Sequence, residues 1–424
     1  MATLNDFFTA PDRLIPLDQA LAFLAERLTP VVTPEHVPLA EACGRVLAED
    51  VVAGANSPPF ASAAMDGFAF RAADLPAGGE SPLLPVVARV AAGHVATVRI
   101  GPGHAVRIFT GAPLPDGVDT VAMQEDCQVE RRGEDELVRL PAGQARGTYV
   151  RQVGEDFTAG TVVLRAGRRL RPQDVAMAAS VGRPHLSVFR RLRAAVFSTG
   201  DEVVEPGQAL PPGKIYSSNR YALMALAGGL GCAVTDLGNL PDRLDVTRRA
   251  LLSASEGHDL LITSGGVSVG GEDHVRDAVA SAGTLHLWRM AIKPGKPTAL
   301  GHVGKAAFIG LSGYPVAAQV TFMMLARPVI LRLSGALAEP MLPWHFQVPS
   351  TFSFVKTTAR RQFVRARLQV GDGGRSEAIL YRSQEPNVVS SLVDSDGLIN
   401  LGEEVRHVAP GDIVDFIPYQ TVQW

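Results

Sequence analysis

Between residues 193 and 335, short apolar runs alternate with longer amphipathic runs, and this alternation constrains the fold more than any other feature of the chain. The apolar runs are AAVFS, CAVTDLG, DLLIT and AAFIGL, and the longer runs, such as DVTRRALLSASEG, repeat apolar residues at helical spacing. Apolar strands that alternate with helices are typical of a parallel sheet with helices on both faces. The sequence therefore predicts an α/β domain in this region.

Two further regions have the pattern of short strands broken by turns. Residues 53–157 indicate a mostly antiparallel β module, and the chain from about residue 337 onward indicates a small all-β domain. Helical patterns flank the first module: residues 17–28 repeat leucines on one face, and PQDVAMAASVG runs from Pro172 to Gly182. A chain of 424 residues is too long for one core, so several domains are expected.

Composition argues against several classes of protein. The formal net charge is −3, so no basic excess exists to neutralise the phosphates of a nucleic acid. The three cysteines, Cys43, Cys127 and Cys232, are far apart and suggest neither a disulfide framework nor a zinc site. No stretch approaches the roughly 20 apolar residues of a membrane span, and the N-terminus lacks a signal sequence. We therefore expect a cytoplasmic protein that binds neither nucleic acid nor membrane.

A Ser/Gly-rich turn in DLLITSGGVSVGGEDHVRDAV joins a buried strand to a helix. Ligands of parallel sheets bind at the carboxyl ends of the strands, where glycines let backbone N–H groups approach an anion. The start of the following helix also favours negative charge. The motif is neither a P-loop nor GxGxxG, and a tight turn without a ligand explains it about equally well.

Charged residues follow other strands of the same sheet. Lys293 and Lys296 flank a Pro-Gly turn, where two ammonium groups repel each other unless they share an anion. A solvated surface turn is the alternative, and the position of the turn at the carboxyl edge of the same sheet argues against it. Glu202 follows the strand AAVFS. Asp242 and Asp273 precede helices, and for each of these two a role as helix cap is as good an explanation as a role in a site. Several carboxylates and two lysines on one rim are able to bind a divalent ion and cleave a phosphoanhydride.

The first β module contributes three polar residues near turns. Asp66 is the only carboxylate of SPPFASAAMDGFAF, and it is either a turn residue or a functional acid. Thr110 in IFTGAPLPDG is more simply a turn hydroxyl that bonds its own backbone. Asp156 follows Gly154 and Glu155 near the end of the module. Local chemistry does not decide between the two interpretations of Asp66.

Together these segments resemble one family along essentially the whole chain, the molybdopterin molybdenumtransferases of the MoeA type, to which the E domain of gephyrin also belongs. The matching pieces, in order, are AMDGFA, IFTGAPLPDGVDTVAMQED, GED, STGDEVVEPG, IYSSN, ITSGGVSVGGED, KPGKPTALG and GYPVAAQVTF. Their order and spacing fit the family, and so many pieces together are far more specific than any one of them.

The resemblance implies a fold of the α/β plus β class in an elongated multidomain protomer. Its parts would be a helical linker domain of residues 1–52 and 158–192, an inserted β lid of residues 53–157, a parallel α/β molybdopterin-binding domain of residues 193–336, and a C-terminal β-barrel-like domain of residues 337–424. A homodimer is implied as well, with a cleft between the α/β domain of one subunit and the lid of the other.

The implied activity belongs to molybdenum cofactor biosynthesis. Molybdate is inserted into adenylylated molybdopterin, Mg²⁺ assists as the cofactor, and the adenylyl group leaves as AMP. Molybdopterin adenylyltransferase and apo-molybdoenzymes are the implied partners. The alternative is a non-catalytic paralogue that binds molybdopterin and carries the cofactor to an apo-enzyme.

The resemblance also implies roles for individual residues. Those implied in catalysis are Asp66, Thr110, Glu202, Asp242, Lys293 and Lys296. Those implied in cofactor binding are Ser264, Gly265, Gly266, Ser268, Gly270, Pro315 and Arg365. The implied Mg²⁺ ligands are Asp273 and Asp156.

The chain departs from the family at three motifs. ASAAMDGFA replaces DNSAMDGYA, so an acid, an amide and a hydroxyl before Asp66 are lost. GLSGYPVAA replaces GLPGNPVSA and puts Ser312, Tyr314 and Ala317 at the proline, asparagine and serine positions. In SQEPNVVSS, Pro386 occupies the position of a small hydroxyl residue. Ala317 and Pro386 remove hydrogen bonds that a buried oxyanion would receive, which favours cofactor binding over efficient insertion.

Overall fold

The computed structural model describes residues 14–97, 99–266, 274–371 and 373–422. The described residues fall into two compact units. The main unit comprises those of Met1–Glu49, Ala166–Val175 and His185–Trp424, and the inserted unit comprises those of Asp50–Arg165 and Ala176–Pro184. Our four-domain boundaries remain predictions.

The helices and strands are as follows in chain order. The helices are α1 Leu17–Arg27, α2 Pro172–Ser180, α3 Asn219–Gly229, α4 Leu244–Gly257, α5 His274–Ala282, α6 Pro315–Thr321, α7 Arg327–Leu333 and α8 Ser390–Val393. The strands up to the end of the inserted segment are β1 Pro34–Pro38, β2 Val46–Leu47, β3 Val51–Val52, β4 Ser62–Ala63, β5 Gly67–Phe70, β6 Leu83–Val90, β7 Ala105–Ile108, β8 Thr120–Met123, β9 Gln128–Arg132, β10 Asp135–Arg139, β11 Val150–Arg151 and β12 Val162–Leu164. The later strands are β13 His185–Phe189, β14 Arg193–Thr199, β15 Val203–Val204, β16 Ile215–Tyr216, β17 Ala233–Leu240, β18 Leu260–Ser264, β19 Gly283–Arg289, β20 Ile292–Lys293, β21 Pro297–Val303, β22 Ala306–Leu311, β23 Phe346–Pro349, β24 Phe354–Val355, β25 Arg361–Val370, β26 Ser376–Leu380, β27 Gly397–Leu401, β28 His407–Val408 and β29 Ile413–Pro418.

The predicted α/β sheet is confirmed in the main unit, where the strand order is β17-β14-β18-β22-β21-β19. The first four strands are parallel to one another, whereas β21 is antiparallel to β22 and β19 is antiparallel to β21. The connection from β21 to β22 consists of Gly304 and Lys305, which is far too short for a parallel crossover and forces a hairpin. The sheet therefore has a parallel core with two antiparallel strands at one side.

The sheet is covered on both faces, as the apolar strands predict. Ala194 and Val196 of β14 belong to one buried cluster, together with Leu223 of α3. Their neighbours Ala195 and Phe197 belong to a second buried cluster on the opposite face, which Leu251 of α4 joins. Because successive side chains of a strand point to opposite faces, both faces are core and the strand is apolar throughout.

The segment Pro315–Leu333 is a continuous core helix. It consists of α6, a π-helical turn at Phe322–Ala326, and α7. Among the described residues it is the one helix long and apolar enough to span a membrane, with a mean hydropathy of 1.4, so the expectation that no stretch approaches that length was wrong. About 89% of the segment is buried inside the protein, which is the reason for its apolar composition.

The predicted C-terminal β domain forms a sheet of order β20-β25-β27-β29-β23, with β26 beside β25. The short strand β20 pairs in parallel with β25 and brings Ile292 opposite Arg361 and Lys293 opposite Gln362. The segment that contains Lys293 is therefore fixed to the C-terminal sheet as well as to the α/β region that it belongs to in sequence.

The inserted unit contains a six-stranded sheet of order β8-β5-β7-β6-β10-β9, in which the β6–β7 pair is parallel and the others are antiparallel. This confirms the mostly antiparallel prediction. Gly67 begins β5, and a Cβ atom there would lie 1.8 Å from the carbonyl oxygen of Ala122. Only glycine permits that approach, so Gly67 fixes the point at which Asp66 leaves the sheet.

An ion network holds the amino ends of two parallel strands together. The carboxylate of Asp259, directly before β18, accepts hydrogen bonds from the Arg190 guanidinium at 2.6 and 2.9 Å. It also accepts the backbone N–H of Arg193 at 2.9 Å, at the start of β14. Burial alone would raise the pKa of Asp259, but the hydrogen bonds from the two arginines outweigh burial and lower it to about 2.

We predict that Asp259→Asn lowers the free energy of unfolding at pH 7 by about 2 kcal/mol. A carboxyl whose pKa is lowered on folding stabilises the protein above its unfolded pKa. That contribution disappears as the pH falls from about 4 to about 2, so the difference between variant and parent should shrink over this range. Urea unfolding at pH 7 and at pH 3 measures both. The control is Asp245→Asn, which removes an exposed ion pair with Arg249 and should lower the free energy of unfolding by under about 0.5 kcal/mol. If Asp259→Asn lowers the free energy of unfolding equally at both pH values, the stabilising role of the ionised Asp259 is contradicted.

Candidate functional site

A cavity of about 820 Å³ lies in the main unit at the carboxyl ends of β14, β18 and β22. Six of the residues that we predicted from the sequence line it: Glu202, Gly265, Gly266, Lys293, Lys296 and Pro315. The volume is within the range of roughly 300–1,000 Å³ that is usual for small-molecule sites. The structure therefore brings together residues that are more than 100 positions apart in the chain.

The glycines after β18 form the floor of the cavity because no larger residue fits there. Gly265 and Gly266 have φ angles of 91° and 66°, and a Cβ atom on Gly266 would lie 2.5 Å from Val275. Ser264 is buried and is not among the lining residues. Its hydroxyl donates to the carbonyl of Ser312 at 2.8 Å and accepts the Asn219 amide N–H at 2.7 Å, so Ser264 fixes the loop after β22.

Two lysines and one arginine give the cavity its positive charge. Because β21 is antiparallel to β22, the turn before β21 that carries Lys293 and Lys296 lies at the edge where the parallel strands end. Sequence reasoning missed Arg360, which also lines the cavity; its guanidinium donates to the carbonyl of Ile292 at 3.0 Å, and burial lowers its pKa. Glu202 is the acidic residue among the lining side chains that the structure describes.

Carboxylates gather beside Glu202. Asp242 accepts the backbone N–H of Asp201 at 3.2 Å, and it is not the N-cap of α4, which is Arg243. Burial raises the pKa of Asp242, and the charges of Asp201 and Glu202 raise it further. These oxygen donors suit Mg²⁺. The residues described here contain no set of three or more histidine, cysteine or acidic side chains close enough to hold a metal ion by themselves.

Three of the predicted site residues, Ser268, Gly270 and Asp273, lie outside the described residues.

The resemblance implies that Arg365 binds the cofactor, but its side chain lies outside the cavity. It is 1% exposed and is not among the lining residues of the cavity. Its guanidinium donates to the hydroxyl of Ser391 at 3.1 Å and to the carbonyls of Ser383 and Glu385 at 3.1 and 3.0 Å. Burial lowers the pKa of Arg365. The side chain therefore anchors the loop that continues into the cavity wall at Pro386.

Amide side chains from the C-terminal sheet and its loop also line the cavity, and sequence reasoning missed them: Gln362, Gln384 and Asn387. The side chain of Gln384 is occupied, since it pairs with both backbone groups of Arg365. Gln362 is 4% exposed, and its Oε1 atom has no hydrogen-bond partner among the described residues. A buried acceptor without a partner is costly, and a ligand N–H would satisfy it.

The altered family positions fall into two groups. Ser312, Tyr314, Ala317 and Pro386 all line the cavity, so these replacements change its wall directly. Before Asp66, by contrast, Ala63 is fully buried in the core of the inserted unit.

In the inserted unit, Asp66 and Thr110 form a pair. The backbone N–H of Thr110 donates to the Asp66 carboxylate at 2.8 Å, and the Thr110 hydroxyl donates at 2.7 Å. The backbone bond and then the hydroxyl bond lower the pKa of Asp66, so the group is ionised at neutral pH. Asp156 is exposed, and its backbone N–H donates to the carbonyl of Ser57 at 2.9 Å. Its predicted role as a metal ligand stays a prediction.

Three family comparisons cover most of the chain. Residues 15–182 match the MoeA N-terminal region (domain I and II), residues 195–332 match the probable molybdopterin binding domain, and residues 347–419 match the MoeA C-terminal region (domain IV).

Individual proteins are similar over nearly the same length. A molybdopterin molybdenumtransferase of Haemophilus influenzae is 37% identical over 406 residues, which cover 96% of this chain and 99% of that protein. Molybdopterin molybdenumtransferase 2 of Mycobacterium tuberculosis is 35% identical over 388 residues, which cover 89% and 93%. The crystal structure of a molybdopterin biosynthesis MoeA protein from Pyrococcus horikoshii covers 96% of this chain and 100% of that one, at 29% identity and a TM-score of 0.79.

We predict that Arg365→Met lowers the free energy of unfolding by about 2–4 kcal/mol, because the buried hydroxyl of Ser391 and two partly buried carbonyls lose their donor. Amide hydrogen exchange of the loop 383–387 should also become faster, since the loop loses its anchor. Arg367→Met is the matched control: Arg367 lies two residues further along β25 and is exposed, so its loss should cost under about 0.5 kcal/mol. Equal effects of the two substitutions would contradict the anchoring role.

Proposed function

The chain belongs to the MoeA family of molybdopterin molybdenumtransferases, enzymes of molybdenum cofactor biosynthesis, and from this premise we propose that it inserts molybdenum from molybdate into adenylylated molybdopterin with release of AMP. The observation that carries the proposal is the cavity in the main unit, where Lys293, Lys296 and Arg360 line one wall. Molybdate and a phosphoanhydride are both anions, and three cations in one partly enclosed site suit them.

The other walls suit the rest of such a substrate. Gly265 and Gly266 line the cavity without side chains, which suits the approach of a phosphate to the main chain. The unpartnered Oε1 atom of Gln362 supports recognition of a ring N–H or amino group, which a pterin carries.

The proposed chemistry is hydrolysis of the phosphoanhydride. Water forms a new bond to the adenylyl phosphorus, the bond to the bridging oxygen breaks, and AMP leaves. Lys293 and Lys296 stabilise the charge that develops on the oxygens, which lowers the barrier. Asp242 would accept a proton from water, because burial and the neighbouring carboxylates raise its pKa and so make it a stronger base.

Mg²⁺ is part of the proposal as an assisting ion. Asp273, which the resemblance implies as a ligand, and Glu202 would hold it, and it would neutralise charge on the phosphoryl oxygens. Molybdate is a substrate. The absence of hydroxyl groups at Ala317 and Pro386, both in the cavity wall, favours slower insertion than in relatives that carry them.

The cellular setting is proposed on the same premise. The protein would act in the cytoplasm as a homodimer, receive its substrate from molybdopterin adenylyltransferase and supply apo-molybdoenzymes, without nucleic acid or membrane. A sedimentation-equilibrium mass equal to the 44.9 kDa of one chain would exclude the dimer.

The test is AMP release from adenylylated molybdopterin by the purified chain with molybdate and Mg²⁺, with tungstate in a parallel reaction. Lys293→Met should reduce the rate by about 100-fold, because it removes a charge that faces the developing anion. Lys305→Met, at the exposed β21–β22 turn, should leave it within about twofold.

Three outcomes separate the alternatives. AMP release that depends on Lys293 supports the transferase. Absence of AMP release together with tightly retained pterin supports the carrier alternative, since the cavity would then bind without reacting. Release that is unaffected by Lys293→Met would exclude this cavity as the reaction site.

A further inference from the structure

A second concave site lies on one face of the inserted unit, remote in sequence from the cavity residues. It is a groove of about 650 Å³ that crosses the strands β5, β7, β6, β10 and β9. We call it the arginine groove and define it by the side chains Phe68, Arg89, Arg107, Phe109, Arg131 and Glu136. Nothing in the proposed reaction uses these residues.

Aromatic rings hold two of the arginines in place. The guanidinium of Arg107 lies 4.8 Å from the centre of the Phe68 ring and 5.4 Å from that of Phe109. The guanidinium of Arg89 lies 4.9 Å from the centre of the same Phe109 ring. A guanidinium that stacks on a ring keeps the N–H groups at its edge available for an anion. The two groups are therefore oriented before any ligand arrives.

The positive charges of this pair are only partly balanced, since Asp66, outside the groove, is close enough for its carboxylate to interact with the charge of Arg107. Arg89 has no ion pair among the described residues, and Arg107 donates to the side-chain oxygen of Gln124, which is neutral. The groove contains one acid, Glu136, and it lies 3.8 Å from Arg131. The groove thus carries two net positive charges on a chain whose formal charge is −3. Two guanidinium groups beside one ring repel each other, and a shared anion removes that cost.

The volume of the groove and the residues that line it indicate which class of ligand it binds. The volume is far larger than a free phosphate ion needs, and the groove is also lined by the exposed valines Val87 and Val129. An anion attached to an apolar or flat organic group would use both features. We propose that the arginine groove binds a phosphate monoester of a small organic molecule, with Arg89 and Arg107 on the phosphate and the valines against the organic part.

The probe is AMP, a phosphate monoester with a flat base, and the measurement must locate where it binds. Hydrogen exchange of the full-length protein, with and without AMP, reports each segment separately. AMP should protect the segments 83–90 and 105–109 of the inserted unit, and calorimetry should give the affinity. AMP bound in the cavity of the main unit would change the exchange of different peptides, so it would not affect the exchange measured at these strands. The outcome is therefore independent of the proposed reaction.

Two substitutions test the arginines. Arg89→Gln and Arg107→Gln should each weaken the AMP-dependent protection at these strands by about tenfold, because each removes a charge-assisted hydrogen bond. Arg99→Gln is the matched control: Arg99 is exposed, belongs to the same unit and does not line the groove, so it should change the affinity less than twofold. Circular dichroism melting of every variant verifies that the fold is retained, and Arg89→Lys provides a variant that keeps the charge.

The remaining probes decide the ligand class. Adenosine should give no protection, and inorganic phosphate should bind at least tenfold more weakly than AMP. Absence of AMP-dependent protection at these strands, or equal protection in Arg89→Gln, would overturn the proposal. If inorganic phosphate binds as tightly as AMP, the ligand needs no organic part and the proposal is wrong on that point. If hexaglutamate binds more tightly than AMP, the groove binds an acidic protein segment and the proposal of a small-molecule ligand is overturned.

Discussion

The register of β14 against β18 is the constraint on which the rest of the main unit depends. Asp259 and its two arginines fix the amino ends of these strands, and five consecutive residue pairs then run in parallel from Ala194–Leu260 to Ser198–Ser264. Because both strands have the same direction and register, their last residues reach the same edge of the sheet. The turns that follow, with Gly265 on one side and Glu202 on the other, meet there as the walls of one cavity.

The opposite wall of that cavity is held by close packing and by backbone pairing. Gly295 lets the lysine turn approach the core helix so closely that a Cβ atom would lie 2.5 Å from the side chain of Thr321. Pairing of β20 with β25 then fixes Lys293 opposite Gln362. The turn keeps its position in spite of the repulsion between the two lysines, because backbone contacts determine where it lies. A rigid turn that presents like charges is preorganised for an anion, since binding needs no rearrangement.

Periodicity in the sequence was sufficient for the α/β region, because its central strands β14, β18 and β22 are buried on both faces and its helices on one. It was also sufficient for α1, where the repeated leucines Leu17, Leu21 and Leu24 are all buried. The side chains around the cavity were harder to predict. In β25 the sequence RQFVRAR contains three arginines; Arg361 pairs with Asp18 and Glu403, Arg365 is buried, and Arg367 is exposed. A sequence pattern does not separate these environments, because they are set by residues from other segments of the chain, such as Asp18 of α1 and Ser391 of α8.

The positions at which the chain departs from the family also lie in different environments. Polar groups were lost before Asp66, but Ala63 lies in the core of the inserted unit, and Asp66 keeps both of its hydrogen bonds from Thr110. That replacement therefore changes the packing beneath the acid and leaves its ionisation in place. Ala317 and Pro386 are different, because they line the cavity and contribute no hydroxyl to it. The question of binding without insertion thus rests on these two wall positions, where a lost hydrogen bond would act on the anion directly.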